Sequence, residues 1–595
     1  MFSPIFQEFE NWGVRDWDLH IFYHAVPVST ILDYHQFPLW NPYHCGGSPL
    51  LAHPQSSFLS PTVLFSLIFG VVKGVKLEIL FMSIIGLYGA YLVSRFFGAG
   101  LVPAIIASFV FMFNSMFSLS ITEGMLNFLT VSYIPWVFYF YLKSFSDLRF
   151  CLLSGVFSVL IFFGGGVHVL IITFTFLAIY SVVSIILRKS SIIRTGKVIG
   201  LLLLITFSIG AIKIIPSLEF TNQYPRIVDD YSGYSLSSLC HSAFSTDQRY
   251  NSARHFSDEK GFLYGMSWYM DDNGMYIGLI SFVLFLIGFI FAFKKRLSLA
   301  LALLVLIWLC FGDRISPSIW GFLRQLPVYK LQRVATRYRF PLVLCLAIFV
   351  GLGVQFIKDY LFEKSIPKTI NRAIMGTILI VVFLNFVMIN IPVWEECFTT
   401  SPPAIPEKKI FFQKCQGSEY KSQDDSGSLP KLDGPSYFNF LMNAGTIDVV
   451  EPVPIPARAI PVNSEEYNGE VFFSGQRGRA TLEAWSPNRI VINVEAEEDG
   501  YVIINQNYFP GWKVEGEDLL KIESIRGLLG VKVPRGNKTI AIYYLPASFQ
   551  IGLLVSVVTL LLILFWLGIY YFRNRPRISE STASSPSKSR IDNSG

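Results

Sequence analysis

The sequence predicts a polytopic α-helical membrane protein of about eleven transmembrane helices, with an extracytoplasmic β-sandwich domain before the last helix. Three observations predict it. Of 595 residues, 52% are hydrophobic and only 15% are charged, against roughly 25% charged in a soluble domain. The apolar residues fall in runs long enough to cross a bilayer. Between 489 and 546 the pattern changes to apolar/polar alternation of period two, the signature of half-buried strands. The same balance excludes a soluble cytosolic enzyme, a disordered chain and a disulfide scaffold. A net charge of +6, from 48 basic and 42 acidic residues, is too small for a nucleic-acid module.

The spans are read at 77–95, 101–119, 125–142, 150–164, 167–187, 198–215, 275–293, 297–311, 340–358, 372–391 and 549–572. Segment 62–72 (TVLFSLIFGVV) is too short to cross and is expected to lie at the interface. Short Lys/Arg-rich loops stay cytoplasmic. RKSSIIRTGK (188–197), Lys294-Lys295-Arg296 and the stretch from Lys358 to Arg372 all fall on one side when the spans alternate, together with the 573–595 tail. The same parity puts a first loop (1–76), two loops within the 77–391 bundle (216–274 and 312–339) and the 392–548 region outside. The segment MFSPIFQ has no basic n-region for a signal peptide. The topology therefore expects either a helix upstream of Met1 or unaided translocation of the short N-terminal stretch.

Segments RIVINVEAEE, GYVIINQNYF, LLGVKVPRG and KTIAIYYLP are expected strands of a sandwich filling about 150 residues of 392–548. Its early part (401–435) is Pro- and Ser-rich and expected to be irregular, and the 573–595 tail is expected to be disordered. Seven cysteines are scattered without metal spacing; Cys397 and Cys415, both in the outer region, could pair.

Chemistry is expected in the first loop. Asp16-Trp17-Asp18 sets two carboxylates in aromatic surroundings. Such a carboxylate can act as a general base or hold a divalent cation; it can equally do no more than suit a helix start. His20 and His24, four residues apart, are read as polar positions of an interfacial helix. His44 and His53 flank a Cys-Gly-Gly turn and either line the same pocket or bond backbone. Glu123 precedes Gly124 in a tight turn, and His168 follows Gly164-Gly165-Gly166 in another; both turns could face the pocket, or simply let two spans reverse. The 312–339 loop breaks the charge rule, carrying Arg314, Arg324, Lys330, Arg333, Arg337 and Arg339 against Asp313 alone. Arginine forks bind phosphate oxygens bidentately, and Arg333 and Arg337 are spaced i, i+4. Anionic membrane lipids would satisfy the same charges. Asp271-Asp272 is expected to be a solvated pair at a helix start.

The stretch PLWNPYHCGGSPLLAHPQ (38–55), some twenty residues after the acidic pair, resembles the YfhO family of bacterial multi-pass membrane proteins. MYIGLISFVLFLIG (275–288), LPVYKLQRVATRYRF (326–340) and NYFPGWKV with VKVPRG and IYYLP (507–546) extend the resemblance over nearly the whole chain. The resemblance implies a GT-C-like fold and a bacterial cytoplasmic membrane. It implies sugar transfer from a polyprenyl-phosphate donor to a glycan or lipid acceptor of the cell envelope on the outer face. It makes Asp18 the first candidate base and Asp16 the second. Arg333, Arg337 and Arg339 become donor-phosphate candidates, with His44, His53, Glu123 and His168 lining the pocket. No metal ligand set is assigned. The rival classes are a flippase for lipid-linked sugars and a non-catalytic assembly protein. Span interiors nearly free of charge disfavour ion-coupled transport.

Overall fold

The computed structural model describes residues 2–13, 16–226, 228, 233–248, 273–395, 397–402, 414–416, 436–447, 449, 453–462, 464–516 and 520–573. The expected irregular stretch 401–435, the Asp271-Asp272 pair and the tail beyond 573 lie wholly or largely outside these residues.

Among the described residues, seven helices are long and apolar enough to cross a membrane: Val71–Phe96, Leu101–Glu123, Val167–Ile186, Ile192–Ile209, Ala335–Glu363, Lys368–Glu395 and Ala547–Tyr571. Three more apolar helices, Phe150–Phe163, Leu279–Ala292 and Leu297–Cys310, are shorter. All ten coincide with expected spans. The eleventh, 125–142, is a 3-10 helix (Leu126–Tyr133) running into an α-helix (Ile134–Ser144). The chain is a multi-pass membrane protein on these helices.

Small residues set the closest packing. A Cβ on Gly288 would lie 1.9 Å from the Phe349 carbonyl, and one on Gly353 would lie 2.0 Å from the Leu284 carbonyl. Glycine lets these two backbones touch, as small residues do between membrane helices. The last helix lies at the rim, docked through Ser556, whose hydroxyl donates to Ile209 O (2.8 Å) and accepts from Ile212 N (2.9 Å). Segment 62–72 is a short helix, Val63–Phe69, cut from the first span by Gly70 at φ +81°.

Contacts sort the loops into two ends. At one, Arg296 donates to Phe97 O at 2.5 Å, Arg194 to Ser144 O at 3.3 Å and Phe145 O at 3.2 Å, and Gly100 N to Gln355 at 2.8 Å. At the other end the first loop meets the turns at 124 and 165 and the β-domain. The basic loops thus share one end, so single-cysteine labelling tests the orientation. With Cys240 and Cys415 both changed to Ser, which leaves the five buried cysteines, Lys513→Cys on intact spheroplasts should react with a membrane-impermeant thiol reagent, and Lys294→Cys should not. Both positions are exposed. The reverse pattern would invert the bundle.

The sandwich occupies 471–544, the second half of the 392–548 region. Its strands are β1 (Val471–Phe473), β2 (Gly478–Ser486), β3 (Arg489–Ala496), β4 (Gly500–Asn507), β5 (Trp512–Val514), β6 (Ile522–Ile525), β7 (Leu528–Val533) and β8 (Gly536–Tyr544). One sheet runs β6-β7-β4-β1 and the other β2-β3-β8-β5, with antiparallel neighbours throughout. Alternation turns Ile490, Ile492, Val494 and Ala496 inward toward Val502, Ile504, Val531 and Val533. The four strongly alternating segments gave strands at the expected places. The short strands β1, β5 and β6 carry too few residues to show a period, and β2 carries a register shift between Leu482 and Ala484.

Candidate functional site

Four chain segments converge at the β-domain end of the bundle. The first is the Asp16–Leu32 helix, expected to be interfacial and found buried along most of its length. Trp17 fixes its start, donating Nε1–H to Ile121 O (2.6 Å) at the end of the Ser115–Glu123 helix. That helix closes on Gly124 (φ +95°), where a Cβ would sit 2.1 Å from Trp17 N. Only glycine supplies both this backbone angle and this contact. Asp16 and Glu123, both partly exposed, therefore share one corner.

From that corner the chain enters the buried 3-10 run Leu126–Tyr133. Phe128 lies under the Arg337 guanidinium, 4.9 Å from ring centre to Cζ. Thr130 packs against the glycine turn, since a Cβ on Gly166 would meet its hydroxyl at 2.2 Å. The turn leads to His168, whose Nε2 accepts from Arg226 at 3.1 Å. Arg226, Arg333 and Arg337 all lie within Coulomb range of His168. Phe128 is the third residue of this run and follows Gly124 by only four positions. A carboxylate corner and a guanidinium corner thus flank one short, buried strut.

The arginine loop is held by side chains rather than by helical spacing. Arg333 lies in extended chain ahead of the 3-10 turn Ala335–Tyr338, so the i, i+4 relation to Arg337 does not place them on one helix face. Tyr329 and Thr175 hydroxyls bond at 2.8 Å, and Arg226 donates to Leu331 O at 3.5 Å. Arg339 is fully buried and sits by Cys310 instead. Arg324 pairs with Asp313 (3.0 Å), and Arg314 donates to Gly233 O (2.8 Å).

Asp18 faces another way. Its two oxygens accept from Ser436 N (2.8 Å) and Tyr437 N (3.1 Å), capping the Ser436–Leu441 helix. Among the described residues its hydrogen-bond partners are backbone N–H groups of that turn. Burial pushes its carboxyl up to about 7, against the lowering effect of those hydrogen bonds. His44 and His53 are buried in an aromatic nest with Tyr23, whose ring centre lies 5.6 and 4.9 Å from theirs. Desolvation holds His44 down to about 3 and His53 well below its ordinary value, so both stay neutral.

His20 and His24 are buried as well. His24 Nε2 lies 3.6 Å from Glu78 Oε2, and the carboxylate raises His24 despite burial. Glu78 is the partner sequence reasoning overlooked; a lone acid at the start of an apolar run was its signal. Lys213, near a span end, donates to Pro54 O (3.2 Å), Ser56 O and Phe162 O (3.0 Å). It staples the first loop to the glycine turn, where a Cβ on Gly165 would meet Gln55 O at 2.5 Å. Arg226 was also missed, being one of four basic residues scattered along the 216–274 loop without a spacing pattern. Cys397 lies buried, its thiol toward Ile121 O at 3.7 Å, while the Cys415 side chain is outside the described residues. Among the described residues, no three His, Cys, Asp or Glu side chains group to hold a metal ion.

The first and last sequence motifs meet in space. Trp40 packs on Trp512 (5.3 Å) and Tyr544 (4.9 Å) and donates to Gln506 (2.7 Å). Asn507 donates to Cys45 O (2.6 Å) and Gly47 O (3.0 Å) and accepts from Arg458 N (2.9 Å).

The chain is similar to YfhO. That protein, the uncharacterized YfhO of Bacillus subtilis (strain 168), is 28% identical over 85 residues, which is 14% of this chain and 10% of YfhO. No family model matches the chain. Among solved structures, mycobacterial arabinofuranosyltransferase AftD aligns over 91% of this chain and 39% of its own, at 14% identity and a TM-score of 0.46. ArnT from Cupriavidus metallidurans in the apo state aligns over 73% of this chain and 81% of its own, at 10% identity and a TM-score of 0.43.

Stretches some 460 residues apart in sequence thus form a latch. Asn507→Ala removes three hydrogen bonds, and each buried group left unsatisfied costs about 1–3 kcal/mol. The variant should melt below the parent and be cut by protease within 38–55. An unchanged melting temperature and unchanged digestion would refute the latch.

Proposed function

We propose that this chain is a GT-C-type glycosyltransferase of the bacterial cytoplasmic membrane. It transfers a sugar from a polyprenyl-phosphate donor to a glycan or lipid acceptor of the cell envelope. The β-domain end is taken as the outer face, because the basic loops share the opposite end.

One observation carries the reading. The 123–130 strut holds Asp16 and Glu123 at one end and Arg226, Arg333, Arg337 and His168 at the other. In sugar transfer from a phosphate donor, the acceptor hydroxyl loses a proton, the sugar carbon changes oxygen, and the phosphate leaves with the bonding pair. The guanidinium group supplies forked donors where that charge develops. Asp16 is the base of choice here, ahead of Asp18, because it is partly exposed while both Asp18 oxygens hold the 436 turn. His44 and His53 support the first loop from beneath rather than meeting substrate.

The deciding assay uses membranes holding the full chain, supplied with radiolabelled polyprenyl-phosphate sugars, with label followed into envelope polymer and lipid. Label transferred above that of vector membranes is the expected result. No transfer from any donor would overturn the assignment.

A further inference from the structure

The β-domain carries a second recess that the transfer reading does not use. It is a cleft of about 1380 Å³ bounded by β1, β2, the 460–470 segment and the β6–β7 turn. Drug-sized pockets run to roughly 1,000 Å³, so this one has room for several sugar rings. Tyr467, Phe472 and Phe473 are among its lining residues, with Phe472 and Phe473 on opposite faces of β1. Phe473 is fixed by glycines: a Cβ at Gly475, Gly478 or Gly500 would come within 2.4–2.7 Å of its ring.

The polar lining narrows the ligand. Glu466, Glu470, Arg479 and Arg526 all line it, two charges of each sign, and the Tyr467 hydroxyl donates to Glu470 (2.9 Å). A polyanion would meet both carboxylates and a polycation both guanidiniums. A purely apolar ligand would cover the exposed Glu466 and Asn468 side chains without hydrogen-bond replacement, at a cost. A peptide strand adding to the sheet edge would find only the three residues of β1, the last strand of its sheet. What remains is an uncharged ligand rich in hydroxyls with apolar ring faces. Amide, carboxylate and guanidinium groups each engage paired hydroxyls, and aromatic rings cover sugar C–H faces.

We propose that the cleft between β1 and β2 is a binding site for an uncharged oligosaccharide segment. The site stands whether or not the bundle transfers sugar, because binding alone is claimed.

The test is calorimetry on the full chain in nanodiscs with uncharged hexasaccharides of glucose, galactose and N-acetylglucosamine, and with poly(glycerol phosphate). At least one hexasaccharide should bind saturably and poly(glycerol phosphate) should not. Arg479→Ala and Asn468→Ala, both at exposed positions, should leave the melting temperature unchanged and weaken binding about ten-fold. Tyr467→Ala should weaken it as much or more. No saturable binding up to 10 mM, preferential binding of poly(glycerol phosphate), or binding unaffected by all three substitutions would each overturn the proposal.

Discussion

Arg337→Lys and Arg333→Lys are each expected to slow sugar transfer about ten-fold or more. Lysine keeps the positive charge but replaces a planar fork by a point charge. A hydrogen bond to a charged group is worth ~1.5–3 kcal/mol, and each ten-fold in rate is about 1.4 kcal/mol. Arg226→Lys belongs to the same set, because its guanidinium reaches His168. Arg314→Lys is the control: its guanidinium is spent on Gly233 O. Rates measured at saturating and limiting donor separate the effects. A phosphate contact present in bound donor raises the apparent Michaelis constant, whereas one formed only as charge develops lowers the maximal rate. If the three cluster variants match the Arg314 control, the cluster holds lipid headgroups and the phosphate assignment falls.

Asp16→Asn is expected to cost roughly 10²–10⁴ in turnover while folded protein and donor binding persist. Asp18→Asn is expected to act on stability instead. The Asp18 carboxyl titrates near 7 in the fold, against 3.8 as its ordinary value. The folded chain therefore keeps its proton over a range in which the unfolded chain has lost it. The stability this group contributes is complete below about pH 4 and falls as pH rises to about 7, by at most about 1.4 kcal/mol per unit. Asparagine does not titrate, so Asp18→Asn should flatten that part of the stability profile. A large loss of turnover in Asp18→Asn, with Asp16→Asn silent, would restore Asp18 as the base.

The fold was legible where physics leaves a periodic mark. Apolar runs gave the helices, and strict alternation gave four strands of the sandwich. What the sequence could not show was which polar residues meet. Asp16 and Asp18 are two residues apart and look equivalent in a string. Their surroundings differ because the 436–441 turn arrives on the Asp18 side. Arg333 and Arg337 were singled out by charge in the wrong place, although the helical spacing invoked for them does not exist. Arg226 completes their cluster from a loop more than a hundred residues earlier, a coincidence of folding with no local trace. The His-rich motif read as a pocket wall because His, Pro and Gly suggest function; burial makes His44 and His53 core residues.

The latch has a consequence for how the protein is made. Trp40 and its partner Gln506 are 466 residues apart. A ribosome adding about 5–20 residues per second needs roughly 20–90 seconds to travel between them. Throughout that interval the first loop has no seat for its tryptophan and no amide to close its Cys-Gly-Gly turn. Docking of the 38–55 loop is thus deferred until the strands at 500–514 have been made. A nascent chain stalled before residue 507 should carry the contacts among the helices of 71–395, lack those of the 547–573 helix, and still leave its 38–55 loop undocked, a ready target for envelope proteases that survey unfinished membrane proteins.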